Sequence, residues 1–110
     1  MVRTLTHYVG GRHVDGASGR FGDVYDPCRG EVRSAVPLAS AEEVREAIAV
    51  AEKAQQDWAT VNPQRRGRIL LRFVDLVNAH LDELAELLAS EHGKTFADAK
   101  GDVQRGIEVV

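Results

Sequence analysis

The feature that most constrains this chain is a change of hydrophobic period at Ser40. Ahead of it, short β-prone runs are punctuated by turn residues; behind it, apolar residues recur every three or four positions to the end. A period of two suits a strand with one covered face and a period near 3.6 suits an amphipathic helix, so the two halves cannot share one architecture. An α+β arrangement follows, with small antiparallel hairpins over residues 1–38 and three amphipathic helices after them.

The first 38 residues contain six of the ten glycines and two of the three prolines. Between those breakers lie His7 to Val9, Arg12 to Val14, Val24 to Tyr25 and Glu31 to Val36. Gly10-Gly11 joins the first two runs with the residues that a two-residue hairpin turn favours, because glycine accepts positive φ without steric cost. Pro27 and Gly30 mark a second turn. Ribbons of this size are marginal alone and need a surface to lie on.

Three helix starts carry their own signals. Ser40 with Glu43 has the form of a capping box, in which hydroxyl and carboxylate satisfy free amides at the helix start. A helix over 41–58 follows, with Val44, Ala47, Ile48, Ala51, Ala54 and Trp58 on its apolar face. Asn62 before Pro63 starts the next, over 63–92, since proline at the first helical position forfeits no amide partner. Its stripe from Ile69 to Leu88 runs on towards Gly93, which suits the residue past a helix end, and a break near Asn78 to His80 is expected. Thr95 and Asp98 repeat the capping pattern for a third helix over 96–110, with Phe96, Ala99, Val103, Ile107 and Val110 inward. Gly101 and Gly106 weaken it, each by about 1 kcal/mol against alanine. The stripes of the first two helices are expected to pack on each other.

Charge and composition remove several functions. Fourteen basic residues against seventeen acidic ones leave a net charge of -3, the wrong sign for nucleic acid. Arg65, Arg66, Arg68 and Arg72 cluster on the second helix, but no aromatic residue interleaves them as a stacking platform, so a solvated or interface face is the reading. No run reaches the roughly 18 apolar residues of a membrane span. A single cysteine, Cys28, forms no internal disulfide, which suits a reducing cytoplasmic compartment. His7, His13, His80 and His92 lie in separate elements without metal-ligand spacing, so no metal site is expected. Cys28 sits in a turn beside Arg29 without a base, which fits an incidental thiol better than a nucleophile.

Read in order, certain segments resemble the amino-terminal part of the aldehyde dehydrogenase superfamily over the whole chain. Tyr8-Val9-Gly10-Gly11-Arg12, Ser18-Gly19-Arg20, and Asp26-Pro27 with Gly30-Glu31-Val32 look like that family's entry hairpins. Asp26, Cys28 and Arg29 depart from its usual turn. Val36-Pro37-Leu38-Ala39-Ser40, Trp58, and Arg65 with Arg66 add to the likeness. Glu91-His92-Gly93-Lys94-Thr95, followed by Gly101-Asp102-Val103-Gln104-Arg105-Gly106-Ile107-Glu108-Val109-Val110, is similar to the acyl-CoA-producing methylmalonate-semialdehyde dehydrogenase branch.

The resemblance implies the fold and chemistry of a larger enzyme. Residues 1–110 would be the first part of a Rossmann-like cofactor domain, in an oxidoreductase that binds NAD and passes an acyl group from a cysteine thioester to coenzyme A, or alternatively to water. It implies a small semialdehyde as substrate and a homo-oligomer, with neither nucleic acid nor membrane as partner. It implies that the catalytic cysteine, glutamate base, oxyanion-hole asparagine and cofactor-binding segment lie beyond this stretch. No catalytic or cofactor-binding residue is therefore assigned, and the chain alone is expected to be inactive. Arg105 matches the arginine implicated in holding the substrate carboxylate. Its position agrees with a ligand-facing role: it lies two residues from both Val103 and Ile107, about 200° around the helix from each. A free-standing, non-catalytic helical interaction module derived from the same family is the competing reading.

Overall fold

The computed structural model describes residues 2–110. The turn at Gly10-Gly11 is made with φ of 60° and 78°. It lies between the second and third of five strands: β1 (Arg3–Thr4), β2 (His7–Val9), β3 (Arg12–Val14), β4 (Phe21–Tyr25) and β5 (Val32–Pro37). The glycine turn closes the antiparallel β2–β3 ribbon in the register His7↔Val14, Tyr8↔His13, Val9↔Arg12. Positive φ at both central residues is the geometry whose twist matches the flanking strands.

The second sheet has the order β1-β5-β4. β4 and β5 are antiparallel from Phe21↔Pro37 to Tyr25↔Val32, with an irregularity between Val24 and Tyr25 where the strand bends into the turn. β1 pairs with β5 in parallel, Arg3↔Ser34 and Thr4↔Ala35. That pairing was absent from the sequence reading, because a two-residue strand carries no period. Being central, β5 supplies the covered positions: Ser34 is only 6% exposed and Pro37 is buried.

The remaining elements are α1 (Ala41–Thr60), α2 (Pro63–Ala79), α3 (Leu81–His92) and α4 (Phe96–Val109). The expected starts are made by the residues named for them. The Glu43 carboxylate accepts from the Ser40 amide at 2.7 Å while the Ser40 hydroxyl accepts from the Glu43 amide at 3.2 Å. Asn62 Oδ1 accepts from the Gln64 amide at 2.8 Å with Pro63 in the first turn, and Thr95 Oγ1 accepts from the Asp98 amide at 3.3 Å. The long helical stretch over 63–92 is two helices, and the break falls at His80, within the region where one was expected. His80 lies at φ -110°, ψ 19°, outside helical geometry. Its amide still donates to the carbonyls of Leu76 and Val77, and its own carbonyl accepts from Leu84, so one residue ends α2 and begins α3.

The chain divides into two units. One contains the sheets and α1, through Thr60; the other contains the short turn Asp26–Cys28 and Val61–Val110. Within the second, α3 packs along α4, and the two residues with no exposure at all, Ala85 on α3 and Ala99 on α4, are where small side chains let backbones approach. Neither α1 nor α2 holds a buried residue. Alanine on α1 leaves little to bury, and on α2 Phe73 remains 51% exposed.

Candidate functional site

The start of α4 is built by a sharp exit from α3. Gly93 caps α3 in the left-handed region at φ 79°, and its amide donates to the Ala89 carbonyl at 2.8 Å. A Cβ there would meet the Pro27 ring at 3.1 Å, so both conformation and space call for glycine. Lys94 then fills the gap before the Thr95 cap. Its ammonium is brought back over the first turns of α4, where it pairs with one carboxylate oxygen of Asp102.

The second oxygen of Asp102 pairs with Nη2 of Arg105, three residues further along the same helix. One carboxylate thus holds two cations. The Lys94 and Asp102 side chains are part-buried, whereas that of Arg105 is 70% exposed. Arg105 therefore lies on the open side of the helix, as its angle from Val103 and Ile107 requires, but one nitrogen of its guanidinium is held by Asp102. Asp102 engages one nitrogen of a guanidinium that carries several N–H donors. Two cations against one anion leave the cluster with one positive charge, and the guanidinium keeps N–H donors that Asp102 does not engage.

The other candidates are dispersed. Cys28 is exposed in its turn, with its amide donating to Asp26 Oδ1 at 2.9 Å. His13 meets Thr6 Oγ1 at 2.8 Å and stacks edge-on with Tyr8, while His80 meets Glu83 at 2.9 Å. Among the described residues no three His, Cys, Asp or Glu side chains gather as a metal site. Of the arginine cluster on α2, Arg66 is part-buried and its Nε lacks a partner among the described residues, while Arg65, Arg68 and Arg72 are exposed. An open cleft of about 780 Å³ lies between the β2–β3 ribbon and α1, lined by Val9, Val14, Val44, Ala47 and Ile48 among others. Of the two acids that line it, Glu43 and Glu46, Glu43 is already committed to the amides of Ser40 and Ala17.

A match to the aldehyde dehydrogenase family model extends over residues 13–110. This chain belongs to the aldehyde dehydrogenase family. It is 46% identical over 109 residues to malonate-semialdehyde dehydrogenase 3 of Geobacillus kaustophilus strain HTA426, which accounts for 99% of this chain and 22% of that one. A Sinorhizobium meliloti 1021 protein described as a methylmalonate-semialdehyde dehydrogenase, solved as a complex with NAD, superposes with a TM-score of 0.94 at 48% identity over 99% of this chain and 22% of its own. Methylmalonate-semialdehyde dehydrogenase from Oceanimonas doudoroffii gives a TM-score of 0.92 at 37% identity, covering 97% and 22%. The chain spans about 22% of the length of the curated relatives it matches. It is the amino-terminal segment of the aldehyde dehydrogenase fold, as the resemblance implied.

Dinucleotide binding needs free helix-start amides facing a glycine-rich turn. Here the starts of α1, α2 and α4 are closed by Ser40 with Glu43, by Asn62, and by Thr95. The start of α3 presents Asp82 and Glu83, which repel a phosphate. The helix starts among the described residues do not fit a dinucleotide phosphate.

The sequence reading names Arg105 but not its partner Asp102. An acid three positions before an arginine on a helix is a readable pairing signal. The share taken by Lys94 was not readable, because it depends on how Gly93 turns the chain between α3 and α4.

Proposed function

We propose that this chain is the amino-terminal segment of an NAD-dependent semialdehyde dehydrogenase of the methylmalonate type, in which Arg105 binds the substrate carboxylate. The observation that carries this reading is the placement of Arg105: exposed, tethered by Asp102, and part of a cluster with one uncompensated positive charge. Its identity with semialdehyde dehydrogenases along nearly its whole length supports the substrate class. The segment's part in the reaction is to bind and orient. A guanidinium fork on the carboxylate fixes the far end of a short semialdehyde, which leaves its carbonyl end directed away from this surface.

In the same proposal the nicotinamide cofactor and the thiol that forms the acyl intermediate belong to other parts of the full-length enzyme. The acyl acceptor is coenzyme A, the enzyme is a cytoplasmic homo-oligomer, and residues 1–110 alone neither bind NAD nor turn over aldehyde. No nucleic acid or membrane is a partner, in keeping with the net charge of -3 and with the absence, among the described residues, of a helix long and apolar enough to cross a bilayer.

The test is a chimera in which this chain replaces the matching segment of the Geobacillus kaustophilus relative. Arg105→Leu in that enzyme is expected to lower kcat/KM for malonate semialdehyde roughly ten- to hundredfold, the equivalent of about 1.5–3 kcal/mol for a charged hydrogen bond. Propanal, which has no carboxylate, should be used almost as before. Equal losses for the two aldehydes would remove the carboxylate assignment and leave Arg105 a structural residue of α4.

A further inference from the structure

Asp102 presents a difficulty for a carboxylate-binding arginine, because an acid already sits on it. If net charge alone governed attraction, the site would work better without it. Yet Asp102 does not neutralise Arg105 by itself, since its other oxygen is committed to Lys94. Nor does the Asp102–Arg105 contact matter much for stability, because an ion pair one helical turn apart with one exposed partner is weakened by solvent screening and by the entropy of holding the side chain. What the contact does achieve is restriction. An arginine side chain has many rotamers, and holding one nitrogen at a part-buried anchor removes most of them before a ligand arrives.

We infer that Asp102 is a positioning residue for Arg105 and that Lys94, by pinning Asp102 from outside the helix, both fixes that anchor and supplies the charge that keeps the cluster positive for a ligand carboxylate. The inference rests on the reading of Arg105 given above. The anchor is favourably built: the Lys94 and Asp102 side chains are the less exposed members, and Lys94 is set between the left-handed cap at Gly93 and the helix cap at Thr95, so its backbone is fixed on both sides. Arg105 is the exposed arm of a cluster whose base is held by two secondary-structure ends.

The two explanations of Asp102 predict opposite signs. In the same chimera, Asp102→Asn adds one positive charge and releases the arm. If positioning governs, KM for malonate semialdehyde should rise on the order of tenfold, with kcat for propanal little changed, and Asp102→Glu should restore much of the loss. If charge alone governs, KM for malonate semialdehyde should fall, and the inference is overturned. Lys94→Gln leaves the arm tied to an unpinned and more anionic Asp102, and should raise the same KM several-fold. This variant carries the test should Asp102→Asn fail to fold, as judged by lost propanal turnover; an unchanged KM for Lys94→Gln would then overturn the inference. Selective loss in Arg105→Leu without any in Asp102→Asn would likewise overturn it while leaving Arg105 as the carboxylate ligand. Unselective loss in Arg105→Leu would remove both.

Discussion

Glu43 shows how much one carboxylate can be asked to do. Its two oxygens take the amides of Ala17 and Ser40, each at 2.7 Å, so it closes the start of α1 and also fastens the loop that precedes β4. Those amide bonds, first from Ser40 and then from Ala17, hold its pKa below the ordinary glutamate range, with the Ser40 hydroxyl and the charge of His7 adding in the same direction. A folded-state pKa below the unfolded one means that the charged form is the stabilising one. The contribution is complete above the unfolded value of about 4.3 and is lost as pH falls through the lower folded value. Glu43→Gln should therefore lower the thermal midpoint near neutrality, and the gap between parent and variant should close as the solution is acidified below about pH 4. Circular dichroism melts at several pH values check this; a gap that stays constant down to pH 3 would assign the loss to something other than the carboxylate.

At the scale of elements, the sequence was most legible where a side chain acts on its own neighbours. The caps at Ser40, Asn62 and Thr95 and the turn at Gly10-Gly11 are local transactions, and each is made by the residues read for it. The parallel pairing of β1 was not legible, because nothing in two residues announces a partner some thirty positions away. What covers the apolar faces of α1 and α2 was not legible for a related reason: a stripe says that a face is apolar but not what covers it. In the candidate site, Arg105 could be placed on the open side of α4 by angle alone, whereas the bridge from Lys94 required the tertiary path through Gly93. The contact of α3 with α4 offers a test at this scale. Ala99 has no exposure, so leucine there must push the helices apart and should cost about 1–3 kcal/mol, while Ala97→Leu, on the exposed face, should cost little. Urea unfolding followed at 222 nm distinguishes them, and equal midpoints for the two variants would deny that the alanines set the helix spacing.

For the molecule as a whole, the apolar stripes that found no cover matter most. Ile48 is 61% exposed, Leu71 67% and Leu76 54%, and among the described residues no large side chain is fully buried. Contiguous apolar surface beyond a few hundred Å² is uncommon on a soluble monomer. The isolated chain should therefore self-associate at micromolar concentration, with a sedimentation coefficient that climbs with loading; a monomer that stays monodisperse at high concentration would favour the free-standing module over the enzyme segment. The central place of β5 has a different consequence, one concerned with time. β1 is made first but can pair only with a strand whose Ser34 and Ala35 follow roughly thirty residues later. At about 5–20 residues per second, Arg3 and Thr4 wait roughly two to six seconds during synthesis before their partner exists. The β2–β3 ribbon, with its two-residue turn, can close within that interval, so this separate sheet is complete before the three-stranded sheet whose β1 strand left the ribosome ahead of it.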